Sequence, residues 1–180
     1  MRRAKMRMYD LVLAALLVGI GLILHGVFPG ILAGMKPDFS LVMLFIVLLL
    51  VPDKRVGFIT GIATGIITAL TTTFPMGQIP NIVDKLVTTL VVMALVTVIP
   101  RKLVLPCTGI LGTLVSGVTF LTTAAIIAEL GASFTSLMGV VVLPATVINT
   151  VALLLLYPIA SKLYSMQRFT SPVVHTPSDK

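Results

Sequence analysis

Two short segments hold most of the polar chemistry in a chain of otherwise apolar residues. The first is Gly34-Met-Lys36-Pro-Asp38-Phe39. The second runs Thr71-Thr-Thr-Phe74-Pro75-Met-Gly77-Gln78-Ile-Pro80-Asn81-Ile-Val-Asp84-Lys85. Each places a lysine one or two residues from an aspartate and adds at least one phenylalanine; the second also adds an amide pair. A cation for a carboxylate, an anion for an ammonium group and an aromatic slot are what a zwitterionic ligand with an apolar body requires. Charge-assisted hydrogen bonds contribute roughly 1.5–3 kcal/mol each, and burial of an aromatic group of about 200 Å² adds roughly 5 kcal/mol. Such a set supports micromolar or tighter capture after the costs of association. The candidate ligand residues are therefore Lys36, Asp38, Phe39, Phe74, Gln78, Asn81, Asp84 and Lys85. Phe28 and Phe134 are further aromatic candidates. Each polar residue also has a structural role open to it. Asp38 can cap a helix, Asn81 with Asp84 three residues on resembles a capping box, and the lysines can neutralise the neighbouring acids.

The elements that must position these residues are membrane helices. Of 180 residues 57% are hydrophobic and only 11% charged, against about 25% charged in soluble domains. Apolar runs cover approximately 11–32, 39–51, 56–73, 82–99, 103–130 and 137–163. At about 20 residues per crossing, the expectation is an all-α protein of six transmembrane helices in one domain, 1–165, followed by a tail, 166–180. The second run is short for a hydrocarbon core of about 30 Å. One cysteine, Cys107, excludes a disulfide framework and a multi-cysteine metal site.

The formal net charge of +7 reports orientation rather than nucleic-acid binding. With alternating spans, eleven of the thirteen Lys and Arg fall on one side, from Arg2 and Arg3 through Lys54, Arg55, Arg101 and Lys102 to Lys180. Lys36 and Lys85 alone fall on the other. The positive-inside rule then puts both termini in the cytoplasm and the two polar segments outside.

Within the spans, Gly57, Gly61, Gly65 and Ala69 recur every fourth position beside Thr60, Thr64 and Thr68. Small residues let helices approach closely; the threonines either serve that packing or line a substrate path. Ala15 and Gly19 form a further small pair, internal or a docking stripe for another membrane protein. The loop Val51–Ile62 matches Ile99–Ile110 at six of twelve positions, as two similar turns or as a duplication. Asn149 is a lone amide in the sixth run. It either ties two helices together or accepts a hydrogen bond from a ligand N–H. His25 reads as a packing or gating residue. No phosphate-binding glycine loop, catalytic pair or metal-ligand cluster is present, so neither ATP hydrolysis nor other catalysis is expected, and no cofactor or metal.

The stretch Gly-Met-Lys-Pro-Asp at 34–38, followed by Thr-Gly-Ile-Ile-Thr-Ala-Leu-Thr-Thr-Thr-Phe-Pro-x-Gly-Gln-Ile-Pro-Asn-x-x-Asp-Lys at 64–85, resembles the bacterial tryptophan transport protein family, TrpP. The resemblance reaches from the first span into the fourth at motif level, and over the whole chain in size and span count. It implies uptake of L-tryptophan across the plasma membrane, with membrane lipid around the bundle. The family is similar in architecture to the substrate-binding S components of energy-coupling factor (ECF) transporters. That implies a site near the outer face and a separate transmembrane and ATPase module as partner, for which Ala15 and Gly19 are the docking candidates. An S component for another small aromatic or vitamin, or a membrane assembly protein without a ligand, are the alternatives.

Overall fold

The computed structural model describes residues 7–27, 38–127 and 133–170. Lys36 and Phe28 lie outside the described residues. The described residues are helical, with no strands among them. The helices are α1 (Met8–Val27), α2 (Phe39–Leu50), α3 (Lys54–Thr71), α4 (Gln78–Val98), α5 (Arg101–Ile127) and α6. The last is α-helical over Phe134–Leu137, takes one π-helical stretch at Met138–Val142, and continues as α-helix over Leu143–Thr170.

Four of them, α1, α4, α5 and α6, are long and apolar enough to cross a membrane. Helix α2 is not, since 12 residues reach only about 18 Å. Its sequence, Phe-Ser-Leu-Val-Met-Leu-Phe-Ile-Val-Leu-Leu-Leu, is apolar on every side, the pattern of a helix surrounded by protein. Every residue from Phe39 to Leu48 is buried, and α2 packs against all five other helices. It is the central post of the bundle. Asp38 caps it, its carboxylate accepting the Leu41 N–H at 3.0 Å.

Around that post the polarity runs opposite to that of a water-soluble protein. Leu16, Ile20, Ile23, Leu70, Ile126 and Leu155 point outward, while Thr60, Thr64, Asp84, Lys85, Thr88 and Asn149 are buried. An apolar outside around a polar interior is the arrangement a bilayer demands.

The stripe of small residues on α3 faces the bundle. A Cβ on Gly61 would collide with Thr89 of α4, and one on Gly65 would lie 3.3 Å from the Ile82 Cα. The threonines beside it bond back to their own helix, Thr60 to the Val56 carbonyl at 2.7 Å and Thr64 to the Thr60 carbonyl at 2.8 Å. They are buried packing residues whose hydroxyls are satisfied locally. Only Thr68 at the end of the row reaches a cavity.

One helix start differs from the sequence reading. Helix α4 begins at Gln78, ahead of the apolar run, because Pro80 in its first turn has no N–H to lose. Its cap is Gly77, without a side-chain hydrogen bond. Asn81 sits one turn inside and donates from Nδ2 to the Gly77 carbonyl at 2.8 Å. The capping-box reading of Asn81 and Asp84 is thereby overturned. At the opposite end of the bundle, Arg7, Asp10 and Tyr164 clamp α1 to α6. Arg7 Nη2 donates to the Tyr164 hydroxyl at 2.9 Å, which donates to Asp10 Oδ1 at 2.9 Å.

Candidate functional site

The polar segments converge because α2 is short. The Asp38 cap at its start meets α4 at Lys85, about two turns after that helix begins. On α4, Asn81, Asp84, Lys85 and Thr88 fall on one face by the i, i+3, i+4, i+7 rule, and all four are buried. Lys85 Nζ lies 2.7 Å from Asp38 Oδ2 and 2.5 Å from Asp84 Oδ2. The Thr88 hydroxyl donates to Asp84 Oδ1 at 3.0 Å. The lysine side chain is 1% exposed, as is nearly true of Asp84, whereas Asp38 keeps 25% of its side-chain surface. Three charges in a low-dielectric interior hold one another in place. Two carboxylates against one ammonium leave the group with a formal charge of −1, and the accessible member is Asp38.

This triad forms one wall of a cavity of about 170 Å³. An apolar cavity of about 150 Å³ accommodates a benzene ring, so the space is on the scale of an aromatic side chain. Phe74, from the α3–α4 connection, and Phe120 of α5 meet edge to face with ring centroids 5.2 Å apart and both line it. Thr113 of α5 and Asn149 of α6 also line it. Asn149 is 1% exposed and Thr113 4%. Neither side-chain atom of Asn149 nor the Thr113 hydroxyl has a hydrogen-bond partner among the described residues. Buried amides are ordinarily paired, and two unpaired polar groups facing one cavity present hydrogen bonds to whatever enters it. The tie between helices considered for Asn149 is not made to any described residue.

The residues singled out from sequence thus divide. Asp38, Phe74, Asn81, Asp84, Lys85 and Asn149 line one cavity. Gln78 is exposed and Phe39 is buried in the α2 packing, and neither lines it. Phe134 is half-exposed and also outside it. Lys85 is engaged by two carboxylates, so it organises the anionic wall and is not a cation held ready for a ligand carboxylate. Ala15 is exposed, and a side chain on Gly19 would meet nothing within 4 Å, so this pair faces out of the bundle.

Sequence reasoning gave Thr113, Ser116 and Phe120 no place at the site and read His25 as a packing or gating residue, yet all four line the cavity. Thr113 stands between Gly109 and Gly117, small residues at the four-residue spacing of a helix-packing stripe. It is packing too: a Cβ on Gly109 would lie 2.8 Å from Thr150 Oγ1, and one on Gly117 would strike Val142. Val142 ends the π-helical stretch, whose Val141 and Val142 line the cavity. Single π turns inside α-helices recur at functional sites. Among the described residues, no group of three His, Cys, Asp or Glu could hold a metal ion.

Comparison with known proteins follows the same line. A family model described as "Tryptophan transporter TrpP" matches residues 7–165. A "Probable tryptophan transport protein" of Bacillus subtilis is 41% identical over 167 residues, covering 91% of this chain and 97% of the relative. Proteins of the same description from Clostridium acetobutylicum and Clostridium perfringens are 46% and 42% identical, each covering 82% of this chain and 88% of the relative. No solved structure matches the chain.

Proposed function

The chain belongs to the tryptophan transporter family TrpP, and on that premise we propose that the cavity between α2, α4, α5 and α6 binds L-tryptophan for uptake. The observation that carries the reading is the cavity's division of labour. One lining combines an anionic triad, an aromatic pair and unpartnered hydrogen-bonding groups. The ligand ammonium completes the charge of the triad at Asp38. The indole packs on Phe74 and Phe120, and Asn149 Oδ1 accepts from the indole N–H. The carboxylate falls to Lys36, two residues before Asp38 in the chain. Asn81 lines the wall beside Asp84.

The same reading gives six spans with both termini in the cytoplasm, from the distribution of Lys and Arg, and a cavity opening to the outside of the plasma membrane. Helix α2 counts as a span by passing through the middle of the bundle, and α3 as a span that turns Phe58, Ile59, Ile66 and Leu70 outward. The chain acts as a binding and transport protein rather than an enzyme. By analogy with S components, the outward pair Ala15 and Gly19 is the contact for an energy-coupling module. Ala15→Leu with Gly19→Leu then abolishes uptake in cells that depends on such a module and spares binding.

The deciding measurement is calorimetric titration of the detergent-solubilised chain with L-tryptophan, L-phenylalanine, tryptamine and indole-3-propionate. Tryptophan binds tightest. Tryptamine, which keeps the ammonium, binds more tightly than indole-3-propionate, which keeps only the carboxylate. Absence of tryptophan binding would refute the reading.

A further inference from the structure

A second cavity, of about 560 Å³, lies at the other end of the bundle. It is lined by the last turn of α2 (Leu48–Leu50), by Met93, Val96 and Thr97 of α4, and by Tyr157 of α6. Its mouth is formed by the two loops that repeat each other in sequence. Pro52, Asp53 and Lys54 come from one, and Ile99 and Arg101 from the other. Each of the two loops therefore contributes one basic residue to the lining, Lys54 or Arg101.

The two cavities share an axis. On α4 the last residue lining the first is Lys85 and the next lining the second is Met93. On α6 the pair is Asn149 and Tyr157, on α5 Thr113 and Val104, and on α2 Asp38 and Leu48. These separations are eight to ten residues on all four helices, or about 12–15 Å of helix. What fills the interval is one compact layer: Phe45, Val92 and Leu153 are wholly buried. A Cβ on Gly112 would sit 2.6 Å from Phe45 Cζ and 3.2 Å from Val92 Cγ2.

We infer that the second cavity is a release-side station for the same amino acid, so that one chain holds both ends of a path closed by the Phe45–Gly112–Val92 layer. Its lining suits a zwitterion with an apolar side chain. Lys54 and Arg101 offer cations for the carboxylate, Asp53 an anion for the ammonium, and the leucines, Met93 and Val96 an apolar wall. A substrate held at the first station reaches the second only when the closed layer between them opens. The inference rests on the tryptophan reading of the first cavity, and goes beyond it in assigning the whole path to this chain.

The test uses the full chain in liposomes with Cys107→Ser, carrying either Thr97→Cys in the second cavity or Val98→Cys on the outward side of α4. Tryptophan exchange and tryptophan binding are both measured before and after modification with a benzyl methanethiosulfonate, and again after reduction. At Thr97→Cys, modification lowers exchange about tenfold or more, reduction restores it, and binding stays within about twofold. At Val98→Cys, modification changes neither. Labelled Thr97→Cys protein with undiminished exchange overturns the inference. So does a chain that binds tryptophan but exchanges none in the absence of a partner, while the reading of the first cavity stands. A chain that binds no tryptophan overturns the reading itself.

Discussion

Lys85 of α4 reaches Asp38, the cap of α2, at 2.7 Å, although it already bonds its own neighbour Asp84. The contact joins two helices through a buried charge and leaves the pair of carboxylates one positive charge short. Removal of the lysine therefore costs more than a contact. Lys85→Met leaves Asp84 buried and uncompensated beside the half-buried Asp38 and lowers stability by about 3–5 kcal/mol. Asp84→Asn in the same chain removes one of them and recovers part of the loss. Thermal unfolding in detergent measures both, and additive losses would contradict the triad.

Asn149 decides between an indole and its isosteres. Asn149→Leu weakens tryptophan binding about tenfold to a hundredfold, the worth of one hydrogen bond to a buried group left unpaired. Binding of benzothienylalanine, which has a sulfur in place of the indole N–H, changes little. The wild-type preference for tryptophan over this analogue disappears in the variant. Calorimetry with the two ligands gives the comparison directly.

Phe120 is the aromatic wall that its sequence context hides. Phe120→Ala removes the partner of Phe74 and one face for the indole. Affinity for tryptophan falls about tenfold, on the basis of roughly 0.5–1.5 kcal/mol for an aromatic pair together with lost burial. Phe120→Leu keeps the burial and lies between. Equal affinities for all three proteins would remove Phe120 from the site.

Two glycines of similar appearance answer oppositely to an added methyl group. Gly112→Ala forces Phe45 aside and costs about 1–3 kcal/mol, relieved by Phe45→Leu. Gly19→Ala meets nothing within 4 Å and raises stability by about 0.5–1 kcal/mol through helix propensity. Melting temperatures of the four proteins check the contrast.

Tyr164→Phe opens the clamp at the other end. Its hydroxyl accepts from Arg7 and donates to the buried Asp10. Its loss costs about 1–3 kcal/mol. Hydrogen exchange of the first turns of α1 rises, while that of the central helix α2 stays slow.

Local periodicity made part of this legible. The four-residue glycine spacing on α3 pointed to a packing face, the run at 39–51 stood out as short although it was counted as a span, and the order Asp84-Lys85 set two opposite charges side by side. What spacing could not report is which side of an apolar helix a single polar residue occupies. Thr113, Ser116 and Phe120 look like tolerated interruptions until the neighbours of α5 are known. The Asp38–Lys85 bond joins residues 47 positions apart across three helices, and no sequence period carries that information. The π-helical stretch at Met138–Val142 leaves no mark in composition. Gln78 and Phe39 were chosen for residence in a polar segment, and the helices that begin beside them turned one to the surface and the other into the packing.

Because α2 touches every other helix and no lipid-facing surface is left on it, it has a particular place in the making of the molecule. Of the helices packed around it only α1 is made before it; α3, α4, α5 and α6 are synthesised after it. A newly inserted chain must therefore hold a segment too short to cross the bilayer until later helices close around it. The last of those to be made, α6, brings Leu153 against the post and Asn149 into the cavity in the same event. Completion of the binding site is thus the closing step of assembly, and a ligand present at that moment acts as a template for the fold.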